Sequence, residues 1–214
     1  MKNLFTALLF PLVLATGAAQ ALPVVSLSNV GEVTSSVAGA TTIDFNNGCG
    51  YTSCAGDFAL VNGNESGKYA QPLGVNSQYL SVPNPSPVNL SATFNLGVTA
   101  DYFGLFWGSI DSYNFISFYL NSTLVASYSG SDIVGQFADG NQLSYSSNRF
   151  INFDFAGALF DSVKLTSNGF AFESDNHAFR KWVAVTEPTI ALLFLIGLVG
   201  LTLARRQVRI AHSK

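Results

Sequence analysis

The stretch from Ser91 to Val98 constrains the fold more than any other part of the chain, because its residues alternate strictly between apolar and polar. Its apolar positions are Ala92, Phe94, Leu96 and Val98. A period of two with one apolar face is typical of a half-buried antiparallel strand. The helical alternative, at about 100° per residue, scatters the same apolar side chains around the helix. The stretch is therefore predicted to be a β-strand.

Similar runs recur through residues 22–182, with Gly, Asn, Ser and Pro between them. The predicted strands include Thr41–Phe45, Asp57–Val61, Gln78–Val82, Asp101–Trp107, Tyr113–Leu120 and the alternating residues Ile151, Phe153 and Phe155. No long amphipathic helix pattern interrupts them. Strands at this spacing predict an all-β fold, and we expect a single antiparallel β-sandwich, jelly-roll-like in topology.

Residues 1–21 have the three-part layout of a secretory signal peptide. Met1–Asn3 is a short positive start, Leu4–Leu14 is mostly apolar, and Ala19 and Ala21 are small residues at the two cleavage-recognition positions. We expect cleavage after Ala21. Residues 22–182 would then form the extracytoplasmic domain.

The chain's C-terminal part, residues 183–214, contains an uncharged and largely apolar segment from Thr189 to Ala204. As an α-helix this segment would be about 24 Å long, a short span for a hydrocarbon core of ~30 Å. Arg205 and Arg206 follow it directly. Basic residues after the span favour a cytoplasmic C-terminus. We therefore predict one C-terminal transmembrane helix with the β-domain outside; a buried helix of the β-domain is the alternative.

Cys49 and Cys54 are the two cysteines of the chain, and Gly48 and Gly50 flank the first of them. In an exported protein such a pair is expected to form a disulfide that closes a surface loop. Two free thiols are the alternative. A zinc site would need two further ligands, and His177 is the only histidine before the apolar segment.

Residues 22–188 contain thirteen acidic and five basic residues, a formal balance of −8. Such a domain should repel the phosphates of nucleic acids and anionic lipids, so we expect no nucleic-acid partner. Neutral polysaccharide is compatible with this charge. We expect no cofactor, although Asp and Asn residues in turns leave a structural calcium ion open as an alternative without assignable ligands.

Nothing in the sequence indicates catalysis. His177 is interpreted as a loop or strand-end residue, and no G-x-S-x-G motif occurs. Asp154 with Asp161, and Glu173 with Asp175, offer carboxylate pairs, but such pairs act on glycosides only at defined separations. Most acidic residues are expected to be surface charge. We therefore predict no catalytic residue.

An aromatic run at residues 102–107 precedes a polar turn at Asp111–Asn114. Trp107 and Tyr113 are candidate ligand contacts, because aromatic rings beside hydrogen-bonding groups can stack on sugars. Burial of the run on both faces of its strand is the alternative, since aromatic side chains fill the interiors of sandwiches.

The tail carries a more specific signal. Thr186, Glu187 and Pro188, the apolar segment, and Arg205 and Arg206 resemble the PEP-CTERM sorting tail of bacterial exosortase substrates. In that family a Pro-Glu-Pro box precedes the helix, and Thr186 stands where its first proline usually sits. The runs at residues 102–114 and 160–173 are similar to stretches of exosortase-dependent surface proteins.

This resemblance implies a membrane location, an exosortase-type processing enzyme as partner, and placement at the cell surface near extracellular polysaccharide. It supplies no catalytic residue. Our hypothesis is a non-catalytic exported envelope protein, either anchored by its tail or processed. The alternatives are a carbohydrate-binding module with a defined ligand site and, third, a secreted glycoside hydrolase.

Overall fold

The computed structural model describes residues 22–85, 87, 89–184 and 196–197. The chain divides into two units, Met1–Trp182 and Val183–Lys214, and the strands described below belong to the first. Within the described residues most of the secondary structure is antiparallel β-sheet, so the all-β prediction is confirmed. The predicted signal peptide lies outside these ranges, as does nearly all of the predicted transmembrane helix. No helix within the ranges has the length and hydropathy to cross a membrane.

The described part of the chain contains eleven strands and two short helices. In chain order the strands are β1 (Val24–Leu27), β2 (Thr41–Ile43), β3 (Ser53–Gly56), β4 (Ala59–Val61), β5 (Tyr79–Val82), β6 (Ser91–Gly108), β7 (Asn114–Leu120), β8 (Thr123–Ser129), β9 (Arg149–Asp154), β10 (Phe160–Ser167) and β11 (Phe172–Lys181). The α-helix α1 (Gly130–Val134) follows β8 and leads into a 3-10 helix at Gly135–Phe137. Ser129 and Asp132 form a capping box at the start of α1.

Strand β6 belongs to two groups of antiparallel strands. Its first half lies between β3 and β10, and β10 continues through β7 to β8. Its second half lies between β9 and β11. β9 also pairs with β1, while the other edge of β11 pairs with β2 and β5, and β5 pairs with β4. The longest strand therefore connects the first group, around β10, to the second, around β11.

Two strands predicted separately are joined in β6. In its first half Ala92, Phe94 and Leu96 are buried and the residues between them are exposed, as predicted. In its second half both faces are buried. Gly97, with φ of 73°, lies where the alternating burial of the first half ends, before the part that is buried on both faces. A Cβ at this position would come within 2.3 Å of Thr52 Oγ1. Only glycine fits this position without displacing Thr52.

The main hydrophobic core takes side chains from both strand groups. Phe94 and Phe118 come from the first group, and Phe103 and Phe153 come from the second. The opposite face of the second group carries a separate apolar cluster of Val75, Tyr79, Tyr102, Phe106, Phe150 and Ala178, which residues of the 33–40 segment cover. The second half of β6 thus contributes to two cores, as the alternative interpretation of the aromatic run predicts.

Strand β11 contains a β-bulge at Asn176. Asp175 pairs with Phe106, but the next pair joins Ala178 to Gly104, so β11 has one residue more than β6 in this interval. Asn176 itself has φ of 49°. Because side chains alternate between the faces of a strand, the extra residue reverses the faces of every residue beyond it.

Candidate ligand pocket and its surroundings

Trp107 is a core residue. It is 0% exposed, and its ring stacks on Phe172 with the centroids 4.1 Å apart. Trp107 therefore does not contact a ligand at the surface in this structure, contrary to the prediction. The physical reason is that β9 and β11 flank β6 here while side chains cover both of its faces.

Tyr113 is half-buried in the turn before β7, away from the surface platform predicted for it. Its hydroxyl donates a hydrogen bond to the carbonyl oxygen of Phe170 at 3.0 Å. Burial, and then the neighbouring Asp111, raise the pKa of the Tyr113 hydroxyl. Tyr113 and Trp107 thus do not form one stacking surface. The role that the contacts give Tyr113 is to hold the backbone at Phe170.

Cys49 and Cys54 form a disulfide, as predicted. It closes the loop between β2 and β3. Tyr51 lies inside this loop, and its ring packs against Phe94 with the centroids 5.2 Å apart. The disulfide therefore fixes a loop that contributes an aromatic side chain to the core.

The five residues of the predicted sorting signal lie outside the described residues: Thr186, Glu187, Pro188, Arg205 and Arg206. In the part of the chain that the structure describes, no three His, Cys, Asp or Glu side chains are grouped so as to hold a metal ion.

Glu173 is a buried carboxyl group near the start of β11. The backbone N–H of Ala70 donates to its Oε1 at 2.8 Å, and Ser109 Oγ lies 3.0 Å from its Oε2. Burial raises the pKa of Glu173 to about 8, although both hydrogen bonds act in the opposite direction. The carboxyl group is therefore mostly protonated at neutral pH, and it can then donate as well as accept a hydrogen bond.

Asp175 lies two residues further along β11 but has other partners. Its carboxylate accepts hydrogen bonds from Ser77 Oγ at 3.3 Å and from the backbone N–H of Asn176 at 2.7 Å. Burial raises the pKa of Asp175 to about 6. The lining of the pocket at Glu173 does not include Asp175. The predicted Glu173 and Asp175 pair therefore does not face one shared cleft.

A pocket of about 400 Å³ opens beside Glu173. Residues 64–70 form one side of it, and Gln142 and Phe170 complete the lining. We call it the Glu173 pocket. The 64–70 loop is held at its end by the backbone N–H of Gln71, which donates to Asn64 Oδ1 at 2.7 Å. Three separate parts of the chain therefore meet at Glu173.

The charged groups that line the Glu173 pocket form one pair. Lys68 Nζ lies 2.5 Å from Glu65 Oε1. This hydrogen bond lowers the pKa of Glu65 and raises that of Lys68, so both remain ionised at neutral pH. With Glu173 protonated, the lining has no net charge. This part of the surface differs in charge from the acidic domain as a whole.

Phe170 supplies an apolar surface at the rim of the pocket. Phe170 is 42% exposed. β11 begins only at Phe172. The backbone beside Phe170 is held at two points, by Tyr113 as described and by Asn114 Nδ2, which donates to the carbonyl oxygen of Ala171 at 2.9 Å.

His177 lies in the interior, not in a loop or at a strand end as predicted. It is 0% exposed; its Nδ1 is 2.7 Å from Tyr51 Oη and its Nε2 is 2.9 Å from Ser174 Oγ. Three aromatic rings pack around the imidazole of His177: Phe45, Phe94 and Phe103. We call the six residues the His177 cluster. Burial lowers the pKa of His177 to about 3, so the imidazole is neutral at neutral pH.

The first strand group has a smaller hollow of about 290 Å³, lined by Thr93, Tyr119, Ser122, Ser162 and Lys164. None of these side chains is buried. The hollow therefore lacks the enclosed polar group that distinguishes the Glu173 pocket.

Sequence reasoning missed the Glu173 pocket. The sequence predicts surface positions for most carboxylates, whereas Glu173 is buried. One signal was present, because Glu173 directly follows Phe172 and lies in a stretch rich in apolar residues. The partners Ala70 and Ser109 are far from Glu173 in sequence, so their contact could not be derived from it.

The chain matches no protein-family model, no curated protein and no solved structure.

Proposed function

We propose that this chain is an exported, non-catalytic envelope protein whose β-domain contacts extracellular polysaccharide. Residues 1–21 act as the signal peptide in this proposal, and the tail at residues 183–214 holds the domain outside the inner membrane with the C-terminus in the cytoplasm. An exosortase-type enzyme recognises Thr186–Pro188 and the arginines. The protein then stays anchored or is processed and passed to the outer envelope, cell surface or matrix.

The disulfide between Cys49 and Cys54 is the observation that carries this proposal. Disulfides persist in oxidising compartments outside the cytoplasm and are rare in cytosolic proteins. Together with the layout of residues 1–21, it supports export. No cofactor is part of the proposal.

We further propose that the domain is a single jelly-roll-like β-sandwich. Two observations support this topology: β6 runs through both strand groups, and the main core is built from side chains of both. Two layers around one core are the usual way for antiparallel strands to bury their apolar faces.

The chemistry of the interior supports a non-catalytic domain. The only histidine of the domain is enclosed by aromatic rings, and Ser174, its neighbour, is 0% exposed. Neither can touch a substrate in this structure. The formal charge of −8 in residues 22–188 favours neutral polymers over polyanions as partners.

Mass spectrometry of the protein purified from its native host tests the proposal. We expect an N-terminus at Leu22 and a disulfide between Cys49 and Cys54. A C-terminus near Glu187 or Pro188 would indicate processing of the tail, and an intact Lys214 in the membrane fraction would indicate a plain anchor. An unprocessed Met1 in the cytosolic fraction, with both cysteines reduced, would contradict the proposal.

The Glu173 pocket favours a second function, that of a carbohydrate-binding module. A hydrolase remains the third function, because Glu65 and Glu173 line one pocket and their pKa values are moved in opposite directions. Against hydrolysis, both oxygens of Glu173 already have partners within the protein. Incubation with oligosaccharides separates the two functions, since only a hydrolase releases shorter products.

A further inference from the structure

We infer that the Glu173 pocket binds a neutral saccharide unit. This inference deepens the proposed contact with extracellular polysaccharide and rests on it for the choice of ligand class. It assigns the contact to one place, formed by the 64–70 loop, Gln142, Phe170 and Glu173.

The size and shape of the pocket are the first argument. A volume of about 400 Å³ lies at the small end of the range of ordinary small-molecule sites, which is roughly 300–1,000 Å³. One side of the pocket is a loop at the surface and another is an exposed ring. A unit of a longer polymer can therefore enter while the rest of the chain stays in solvent.

The charge of the lining is the second argument. Glu65 and Lys68 neutralise each other, and burial keeps the Glu173 carboxyl protonated because its pKa is raised to about 8. A site of this kind attracts neither strong anions nor strong cations. The remaining polar groups, such as the exposed amide of Gln142, match the hydroxyl groups of a neutral sugar.

The position of Phe170 also suits a sugar ligand. Phe170 is 42% exposed at the rim, and hydrogen bonds from Tyr113 and Asn114 hold the carbonyl oxygens of Phe170 and Ala171. An exposed aromatic ring on a backbone held in this way offers a flat apolar surface beside polar groups, which suits the apolar face of a sugar ring. Little ordering is then needed on binding.

Binding assays with the full-length protein test the inference. The protein, purified in detergent, is applied to an array of neutral gluco-, manno- and galacto-oligosaccharides and of uronic-acid oligosaccharides. The Kd of the strongest binder is then measured by calorimetry. We expect binding to neutral oligosaccharides. Phe170→Ala should raise this Kd about 2- to 10-fold, the usual effect of losing one aromatic contact.

Phe137→Ala is the matched control, because Phe137 is 46% exposed but does not line the pocket. It should leave Kd unchanged. Gln142→Ala tests a polar wall of the pocket and should also weaken binding. Equal Kd values for the Phe170 and Phe137 variants would overturn the inference, and so would binding of uronic-acid oligosaccharides alone.

If no neutral oligosaccharide binds, the inference fails, whereas the proposed function is judged separately. Export and sorting depend on the termini found by mass spectrometry. Association with polysaccharide depends on whether the protein co-purifies with the host's own extracellular polymer. A surface protein that binds this polymer through another face would leave the proposed function intact and remove the Glu173 pocket from it.

Discussion

Glu173 and His177 lie four positions apart on the same strand, and both are buried titratable groups that are neutral at pH 7. Burial acts on them in opposite senses, because it raises the pKa of an acid and lowers that of a base. Their surroundings differ. Glu173 borders a pocket that a ligand can enter, and His177 is enclosed by aromatic rings.

A shifted pKa therefore does not by itself mark a functional site. In the His177 cluster the imidazole has a strongly lowered pKa and two hydrogen-bond partners, but its enclosed environment suits a structural role. At the Glu173 pocket the carboxyl group with the raised pKa borders a space that is open to solvent. The bulge at Asn176 separates the two, because it places His177 on the core face and leaves Glu173 on the opposite one.

The largest effect is expected from His177→Ala. Removing the ring leaves a cavity in the core and deprives Tyr51 and Ser174 of their partner, so the free energy of unfolding should fall by about 3–4 kcal/mol. Urea unfolding of the full-length protein in detergent, followed by tryptophan fluorescence, measures this. A loss below about 1 kcal/mol would mean that the cluster is not part of the core in solution.

The next effect is a pH dependence from Glu173. Its folded pKa of about 8 lies above its ordinary value of 4.5, so the protonated group contributes its full stability below pH 4.5 and loses it as the pH rises towards 8. In Glu173→Gln the amide replaces the neutral acid. We therefore expect the variant to be more stable than wild type at pH 8, by an amount on the order of 3 kcal/mol.

To check this, the free energy of unfolding is measured between pH 4 and 9 for the wild type and the variant, and its slopes against pH are compared. Other titratable groups act on Glu173 or line its pocket and stay in place in both proteins: Tyr79, Asp111, Tyr113, Glu65, Lys68 and Tyr69. Asp175 adds a slope of the same sign between pH 3.8 and about 6. His177 acts oppositely, losing stability as the pH falls from 6.5 towards 3. Parallel profiles for wild type and variant would contradict the assignment.

The smallest effect on stability is expected from the double variant Cys49→Ser, Cys54→Ser. Opening so short a loop should lower the free energy of unfolding by about 2 kcal/mol in the chain-entropy model. Tyr51 lies between the two cysteines, and its hydroxyl is hydrogen-bonded to His177. The backbone amides of Tyr51 and His177 should therefore lose protection from hydrogen exchange. Protection at Ala70, whose N–H bonds Glu173, should not change. Equal loss of protection in the His177 cluster and at Ala70 would show that the cluster and the Glu173 pocket are not independent.

Much of the strand pattern could be predicted from the sequence. Ser91–Val98 was assigned correctly because its alternation reflects one buried face and needs no distant information. β1, β3 and the continuity of β6 were missed. Their residues are small, mixed or interrupted by Gly97, and they become strands only because a partner strand lies beside them.

The candidate site was harder to predict, and Trp107 shows why. Phe103, Leu105 and Trp107 alternate along β6 and all belong to the main core, but periodicity cannot say whether another layer covers the face that they share. Tyr113 was a better choice only indirectly, since it touches the backbone of Phe170. The Glu173 pocket itself depends on Ala70 and Ser109, each brought to Glu173 by a different loop.

The all-β class, the disulfide pair and the acidic character of the domain can be read from the amino-acid sequence, because each follows from local pattern or composition. Which polar residues are accessible depends on the folded arrangement of the strands and loops. A single extra residue at Asn176 reverses the faces of β11, and the pairing of β11 with β6 sets where that residue is placed. Such long-range pairing reflects the packing of the whole sheet, so no local stretch of sequence records it.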